Sequence, residues 1–308
     1  MPVSHELKNE LTRLLQSGSP FFAYCLPGGE LSLADTASVR FTPWPGCNSP
    51  AELWRESTSW PQYRAAIETL VERLKQRRGK TVMSRAICGS HNCDMVQLAL
   101  DFFEAYPQTY RTIFYTPQTG AWMGASPELL YKIDGDRLYT MALAGTRLLS
   151  DGPWDEKNLE EHRMVADFIE DALAEQTQHY NRSELGTLRY GAIEHLLTEF
   201  TAETSQFDLE RLKNALQPTP AVGGYPRREA LDDIARLETH RRNLYSGLIE
   251  FDADKNSQRL CIVNLRCMQF DAEHYCIYAG GGITSQSDPA AEWAETEAKS
   301  AWLREHIK

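Results

Sequence analysis

The sequence predicts an α+β fold in which antiparallel sheets are layered with helices. Strand candidates crowd together around 110–116, 120–125, 128–133 and 137–143 with only tight turns between them, which requires antiparallel pairing. Long helical patterns interrupt these hairpins rather than alternating with single strands, which favours an α+β layered fold over a βαβ arrangement. The one glycine-rich run, Gly280-Gly281-Gly282, fails the G-x-G-x-x-G and G-x-x-x-x-G-K-[ST] spacings, which removes a dinucleotide fold and a P-loop.

In chain order, residues 5–16 form an amphipathic pattern that stops at Gly18, and Phe21 to Leu26 is an apolar run entering the turn Pro27-Gly28-Gly29. A Pro-rich connector spans 41–61. Tyr63, Ile67, Leu70, Val71 and Leu74 then recur at helical spacing up to Gly79, before the strand-like 81–87. A helix over 94–105 precedes the crowded strands, and Asp134-Gly135-Asp136 marks a hairpin turn. A long helix is predicted over 155–180, shorter ones near 207–216 and 227–239, and strands over 243–251, 258–269 and 274–280. Ser287-Asp288-Pro289 opens the closing helix.

Composition sets bounds on function. The 308 residues carry 42% hydrophobic and 24% charged side chains, near the globular average. With 32 Lys+Arg against 43 Asp+Glu the net charge is −11, and no Lys/Arg block segregates the positive charge, so nucleic acid and anionic membrane are not expected partners. Seven cysteines without a C-x-x-C pair fit reduced thiols better than a disulfide framework or a zinc ribbon. The polar N-terminus and the lack of an 18-residue apolar run predict a cytoplasmic protein.

Several residues have chemical potential. The glycine run could present backbone N–H groups to an anion, or could be a turn that needs positive φ. Glu292, Glu295 and Lys299 project from nearly one face of the closing helix, and Glu161 lies on the long helix. Carboxylates from two helices suit Mg²⁺, a hard ion that prefers oxygen donors, although a solvated face with salt-bridge spacing has the same pattern. Glu128 follows Gly124-Ala125-Ser126-Pro127, and Lys80 stands at the mouth of a strand. As an acid and base pair they would need opposed pKa shifts, Glu128 up and Lys80 down.

Taken together, Lys80-Thr81-Val82-Met83-Ser84-Arg85, Gly124 to Glu128, Ala142-Leu143-Ala144-Gly145-Thr146-Arg147, Glu161-His162, Pro218 to Pro226, Asn264-Leu265-Arg266-Cys267, Ala279 to Ile283 and Glu292-Trp293-Ala294-Glu295-Thr296 resemble the chorismate-utilising enzymes over roughly 62–307. The resemblance implies an α/β sandwich with two antiparallel sheets flanked by helices, a shortened N-terminal segment over 1–61 packed on a catalytic domain over 62–308, and a monomer. Isochorismate synthases of the menaquinone or siderophore type match best. Lys80 sits where their water-activating lysine does, Ala144 stands where aminodeoxychorismate synthases carry a nucleophilic lysine, and Val222 is apolar where salicylate synthases tend to have threonine.

By that resemblance Lys80 is the base and Glu128 the acid, and Glu161, Glu295 and Glu292 hold Mg²⁺. Gly145, Thr146, His195, Tyr245, Arg266, Gly280, Gly281, Gly282 and Lys299 bind chorismate. His195 also fits a plain core histidine. Salicylate synthase and a non-catalytic chorismate-binding protein are the alternatives. Two positions depart from the family pattern: Glu250 replaces a glycine, which bears on the expected pocket rim, and Met141 replaces an acid.

Overall fold

A computed structural model describes residues 5–150, 152–190, 193–253 and 258–307. Its elements are α1 (His5–Ser17), β1 (Phe21–Cys25), β2 (Ser32–Ala34), β3 (Arg40–Thr42), α2 (Trp60–Lys75), β4 (Lys80–Ser90), α3 (Met95–Ala105), β5 (Tyr110–Thr116), β6 (Gly120–Ser126), β7 (Leu129–Asp134), β8 (Arg137–Leu148), α4 (Glu156–Ala174), β9 (Tyr180–Arg182), β10 (Gly186–Tyr190), β11 (Ile193–Glu203), α5 (Leu209–Leu216), β12 (Gly224–Tyr225), α6 (Arg227–Leu237), β13 (Leu248–Ala253), β14 (Gln258–Val263), β15 (Cys267–Phe270), β16 (His274–Ile283) and α7 (Pro289–His306).

The strands form two antiparallel sheets. One runs β12-β4-β16-β15-β6-β5-β1-β2, and the other runs β10-β11-β8-β7-β14-β13-β3 with β9 also paired to β11. Phe22, Phe114 and Trp122 of the first sheet meet Ile249, Phe251 and Ile262 of the second in an aromatic-rich core. α1, α3 and α7 cover the outside of the first sheet through Leu11, Phe102, Phe103 and Leu303. Val165, Ile169, Leu212 and Leu216 of α4 and α5 pack with Leu138, Ala142 and Phe200 of the second. The sandwich agrees with the predicted class. Strands from the first 61 residues enter both sheets, β1 against β5 and β3 against β13.

Local chemistry explains the boundaries. Asp94, Asp155 and Asp288 each cap a helix by accepting from backbone N–H groups of its first turn. α4 ends at Ala174, short of the predicted 180, and Tyr180 reaches back to it by donating to Glu170 Oε1 at 3.0 Å. The β9–β11 region carried no recognised strand signal, because β10 is mostly exposed and lacks an apolar alternation.

The predicted strand over 243–251 begins only at Leu248, since Asn243 and Ser246 take positive φ (51° and 59°). The run over 258–269 is broken at Arg266, whose φ of 46° separates β14 from β15. The glycine run is no turn. Gly280, Gly281 and Gly282 lie inside β16, paired with Ser84, Met83 and Val82 of β4.

Candidate active site

The two sheets and α4 and α7 enclose a cavity of about 170 Å³. Every predicted site residue except Lys80 and Glu292 lines it, and those two stand directly behind its wall. A larger cleft of about 1240 Å³ lies between α1, residues 51–56 and the β5–β6 turn, and none of the predicted residues reaches it.

The glycines are required by close approach rather than by backbone conformation. A Cβ on Gly282 would sit 2.8 Å from Glu161 Oε1, and one on Gly281 would sit 3.2 Å from Glu292 Oε2 and 3.3 Å from Glu295 Oε1. A Cβ on Gly280 would meet the Tyr245 hydroxyl at 2.9 Å. The bare strand therefore lets three carboxylates from two helices approach β16.

Two ammonium groups lie on those carboxylates. Lys80 Nζ, fully buried at the start of β4, donates to Glu161 Oε1 at 2.7 Å. Lys299 Nζ donates to Glu295 Oε1 at 2.5 Å and to Gly280 O at 2.9 Å. Among the described residues no three His, Cys, Asp or Glu side chains stand at ligating distance from one point. The all-oxygen donor set and the space left by Gly281 and Gly282 nevertheless suit a hard divalent cation, which would engage Glu161, Glu295 and Glu292 once the lysines release them.

Glu128 lines the same cavity. Its buried carboxyl is pushed up from 4.5 to about 7 by loss of solvent, against the lowering effects of a hydrogen bond from Thr219 and the charge of Lys80. Thr219 Oγ1 donates to Glu128 Oε1 at 3.2 Å, and Ser126 Oγ receives the Glu128 N–H at 3.2 Å. The carboxyl is thus held protonated up to neutral pH, as an acid requires.

Gly145 is the extra residue of a β-bulge. Thr146 pairs with His195 and Ala144 with Leu196, while Gly145 takes φ 75° between them. The bulge places Gly145 O 3.1 Å from His195 Nδ1, so that nitrogen carries the proton and donates. Burial, and then the charges of Arg266 and Lys299, lower His195 to about 3, so the ring is neutral. Burial holds Tyr245 as a phenol, with its pKa raised to about 12.

Sequence reasoning missed three supports of this cavity. Thr219 lies within the quoted Pro218 to Pro226 motif, but its hydroxyl had been given no role. Asn158 of α4 accepts from Thr146 N at 3.0 Å, with only its proximity to Glu161 as a signal. Arg242 reaches the carbonyls of Val82 and Val222, and nothing in the local sequence marks it.

A family model described as chorismate binding enzyme matches residues 47–308. The chain belongs to the chorismate-binding enzyme family. Isochorismate synthase EntC of Escherichia coli (strain K12) is 32% identical over 198 residues, 58% of this chain and 49% of EntC, so the chain spans about half of that relative's length. Isochorismate synthase MenF of the same strain is 31% identical over 284 residues, 86% of this chain and 64% of MenF. The crystal structure of putative 2,3-dihydroxybenzoate-specific isochorismate synthase DhbC from Bacillus anthracis superposes with a TM-score of 0.73 at 26% identity, covering 97% of this chain and 87% of that one.

Against the family pattern, neither departure reaches the cavity. Glu250 does not touch the pocket rim. On β13 it faces α5, with Lys213 Nζ at 3.5 Å and Arg259 Nε at 3.8 Å, so a buried ion pair explains the acid there. Met141 packs against the core between the sheets.

Proposed function

We propose that the protein is a Mg²⁺-dependent isochorismate synthase that converts chorismate to isochorismate in the cytoplasm. The observation that carries this reading is Glu128, a buried carboxyl raised to about 7 in the cavity that Lys80 and three carboxylates border. The named relatives EntC and MenF support the same reaction.

Water adds at C2 of the ring while the C4 hydroxyl leaves. Lys80, in its neutral form, takes a proton from the attacking water, and Glu128 gives one to the departing hydroxyl, which leaves as water. One water enters and one departs, so substrate and product are isomers, and solvent exchange resets both groups. Lys80 must first separate from Glu161, because an ammonium cannot accept a proton. Arg266 offers a planar fork to the enolpyruvyl carboxylate, aided by the Tyr245 hydroxyl. The neutral His195 and the bulge at Gly145 and Thr146 bound the ring side.

Mg²⁺ held by Glu161, Glu295 and Glu292 would bind the ring carboxylate and polarise the ring toward attack. Ala144 supplies no amine, which disfavours formation of a covalent aminated adduct.

The test is purified protein with chorismate and Mg²⁺, products resolved by mass spectrometry. Isochorismate without salicylate or pyruvate is expected. Salicylate with pyruvate would assign the second reaction instead, and a protein inert toward chorismate would reject catalysis. Lys80→Ala should lose turnover by about 10²- to 10⁴-fold while chorismate binding measured by calorimetry is largely kept.

A further inference from the structure

Arg242 lies between α6 and β13, only 2% exposed, and its guanidinium is bonded on every side. Nη1 donates to Val222 O at 2.9 Å, and Nη2 donates to Val82 O at 2.7 Å. Nε and Nη2 clasp the Glu238 carboxylate at 2.9 and 2.6 Å. The flat face of the guanidinium covers the Trp44 ring at 4.1 Å. Glu238 is itself anchored, since its Oε1 accepts from Ser84 N and Ser84 Oγ, both at 2.7 Å.

A buried ion pair of this kind is poor evidence for stability, because a well-packed apolar pair often does as well. What it does is fix position. Val82 is two residues along β4 from Lys80. Val222 belongs to the turn whose N–H groups at Val222 and Gly223 return to Thr219 O at 3.1 and 2.8 Å. Thr219 is the residue whose hydroxyl holds Glu128. One planar group therefore connects the strand that carries the base to the turn that covers the acid, and both carbonyls it binds belong to residues lining the cavity.

We propose that Arg242, braced by Glu238, is a positioning residue that sets the separation of Lys80 and Glu128 and keeps Glu128 covered. The proposal rests on the reaction reading above. Lysine cannot replace it, because a single ammonium cannot bridge two carbonyls and a carboxylate in fixed directions. With the Val222 turn loosened, water reaches Glu128 and takes over the Thr219 hydrogen bond, and because loss of solvent is the larger of the two effects on this carboxyl, it titrates lower. The charged or polar groups facing Glu128 are Lys80, Thr219 and Ser126, with Thr146, Asp155, Asn158, Glu161, His195, Tyr245, Arg266, Glu295 and Lys299 lining the same cavity, and Arg242→Lys changes none of them.

The test compares wild-type and Arg242→Lys full-length protein, with folding checked by circular dichroism. Expected is a fall in kcat of about 10- to 100-fold with KM for chorismate little changed, as a displaced reacting group gives. The high-pH limb of kcat/KM should move down by about one pH unit as Glu128 regains water. Glu128 is also titrated directly by ¹³C NMR of the carboxyl, assigned with Glu128→Gln. That readout needs no turnover, so a protein inert toward chorismate would reject the reaction reading while leaving the positioning claim to be decided by the titration. An unchanged Glu128 titration in Arg242→Lys overturns the claim, as does an equal loss of activity at all pH values. Should Arg242→Lys not fold, Glu238→Gln decides by the same two readouts, with a downward shift expected and an unchanged profile overturning it.

Discussion

Glu128→Gln should stabilise the protein at pH 8 while slowing the proposed reaction. Burial carries the carboxyl from 4.5 to about 7, so the native fold opposes its ionisation. A group whose folded pKa is raised in this way costs nothing below its unfolded value. Stability is then lost as pH rises from about 4.5 to 7, and the loss is constant above that window. At 1.36 kcal/mol for each pH unit the full cost is about 3 kcal/mol, an order-of-magnitude figure for a wholly buried group. Glutamine removes the ionisation and keeps an oxygen to accept from Thr219. The variant should therefore melt about 5 °C higher at pH 8, given the unfolding entropy of a chain this long, and by only a degree or so at pH 5. Thermal unfolding followed by circular dichroism at both pH values reads this directly, and turnover should fall by about 10²- to 10⁴-fold. A gain of equal size at pH 5 and pH 8, or no gain at either, would refute the claim that Glu128 is held protonated by burial.

Thr219→Val removes the hydroxyl that favours the charged carboxylate, so the high-pH limb of kcat/KM should rise by roughly half to one pH unit, with an unmoved limb counting against the contact. That limb is expected near 7 from Glu128 and not from His195, whose ring is neutral down to about 3; it should survive His195→Gln, and its disappearance would reverse the assignment. Gly282→Ala places a methyl 2.8 Å from Glu161 Oε1 and should raise the Mg²⁺ concentration for half-maximal activity by about tenfold or more, as loss of a correctly placed ligand does. Calorimetry should show chorismate binding more tightly with Mg²⁺ present, and Mg²⁺ more tightly with chorismate, by one common factor.

The hairpins were legible because their turns are chemically marked, as at Gly135 with φ 61°, and because their flanking strands are dense in apolar residues. The closing helix was legible down to the face it presents, since Glu292 and Glu295 at a spacing of three do meet the same glycine. β9 and β10 were not, because exposed strands carry no apolar alternation, and β11 was missed although Leu196, Thr198 and Phe200 alternate inward along it. The break at Arg266 was hidden for another reason: a left-handed arginine has no local signature and is enforced by the surrounding structure. The site divides in the same way. Motifs identified which residues gather at the cavity. Contacts between residues far apart in sequence, Lys80 with Glu161, Thr219 with Glu128 and Arg242 with Val82 and Val222, exist only after folding.

Those contacts also bear on how a chain of net charge −11 would take the dianionic substrate of the proposed reaction. Around the cavity, Lys80, Arg266 and Lys299 face the acids Glu161, Glu292, Glu295 and Asp155, and Glu128 stays neutral below about 7. Such a site has no surplus positive charge of its own. The lysines are already turned to carboxylates, so the chain alone gives a dianion little net attraction. A divalent cation would supply the missing positive charge. By engaging the carboxylates it would also free Lys80 and Lys299, one toward water and the other toward the proposed substrate. Under the proposed reaction, coupled binding of metal and chorismate is the outcome that charge balance predicts, with neither ligand binding tightly alone.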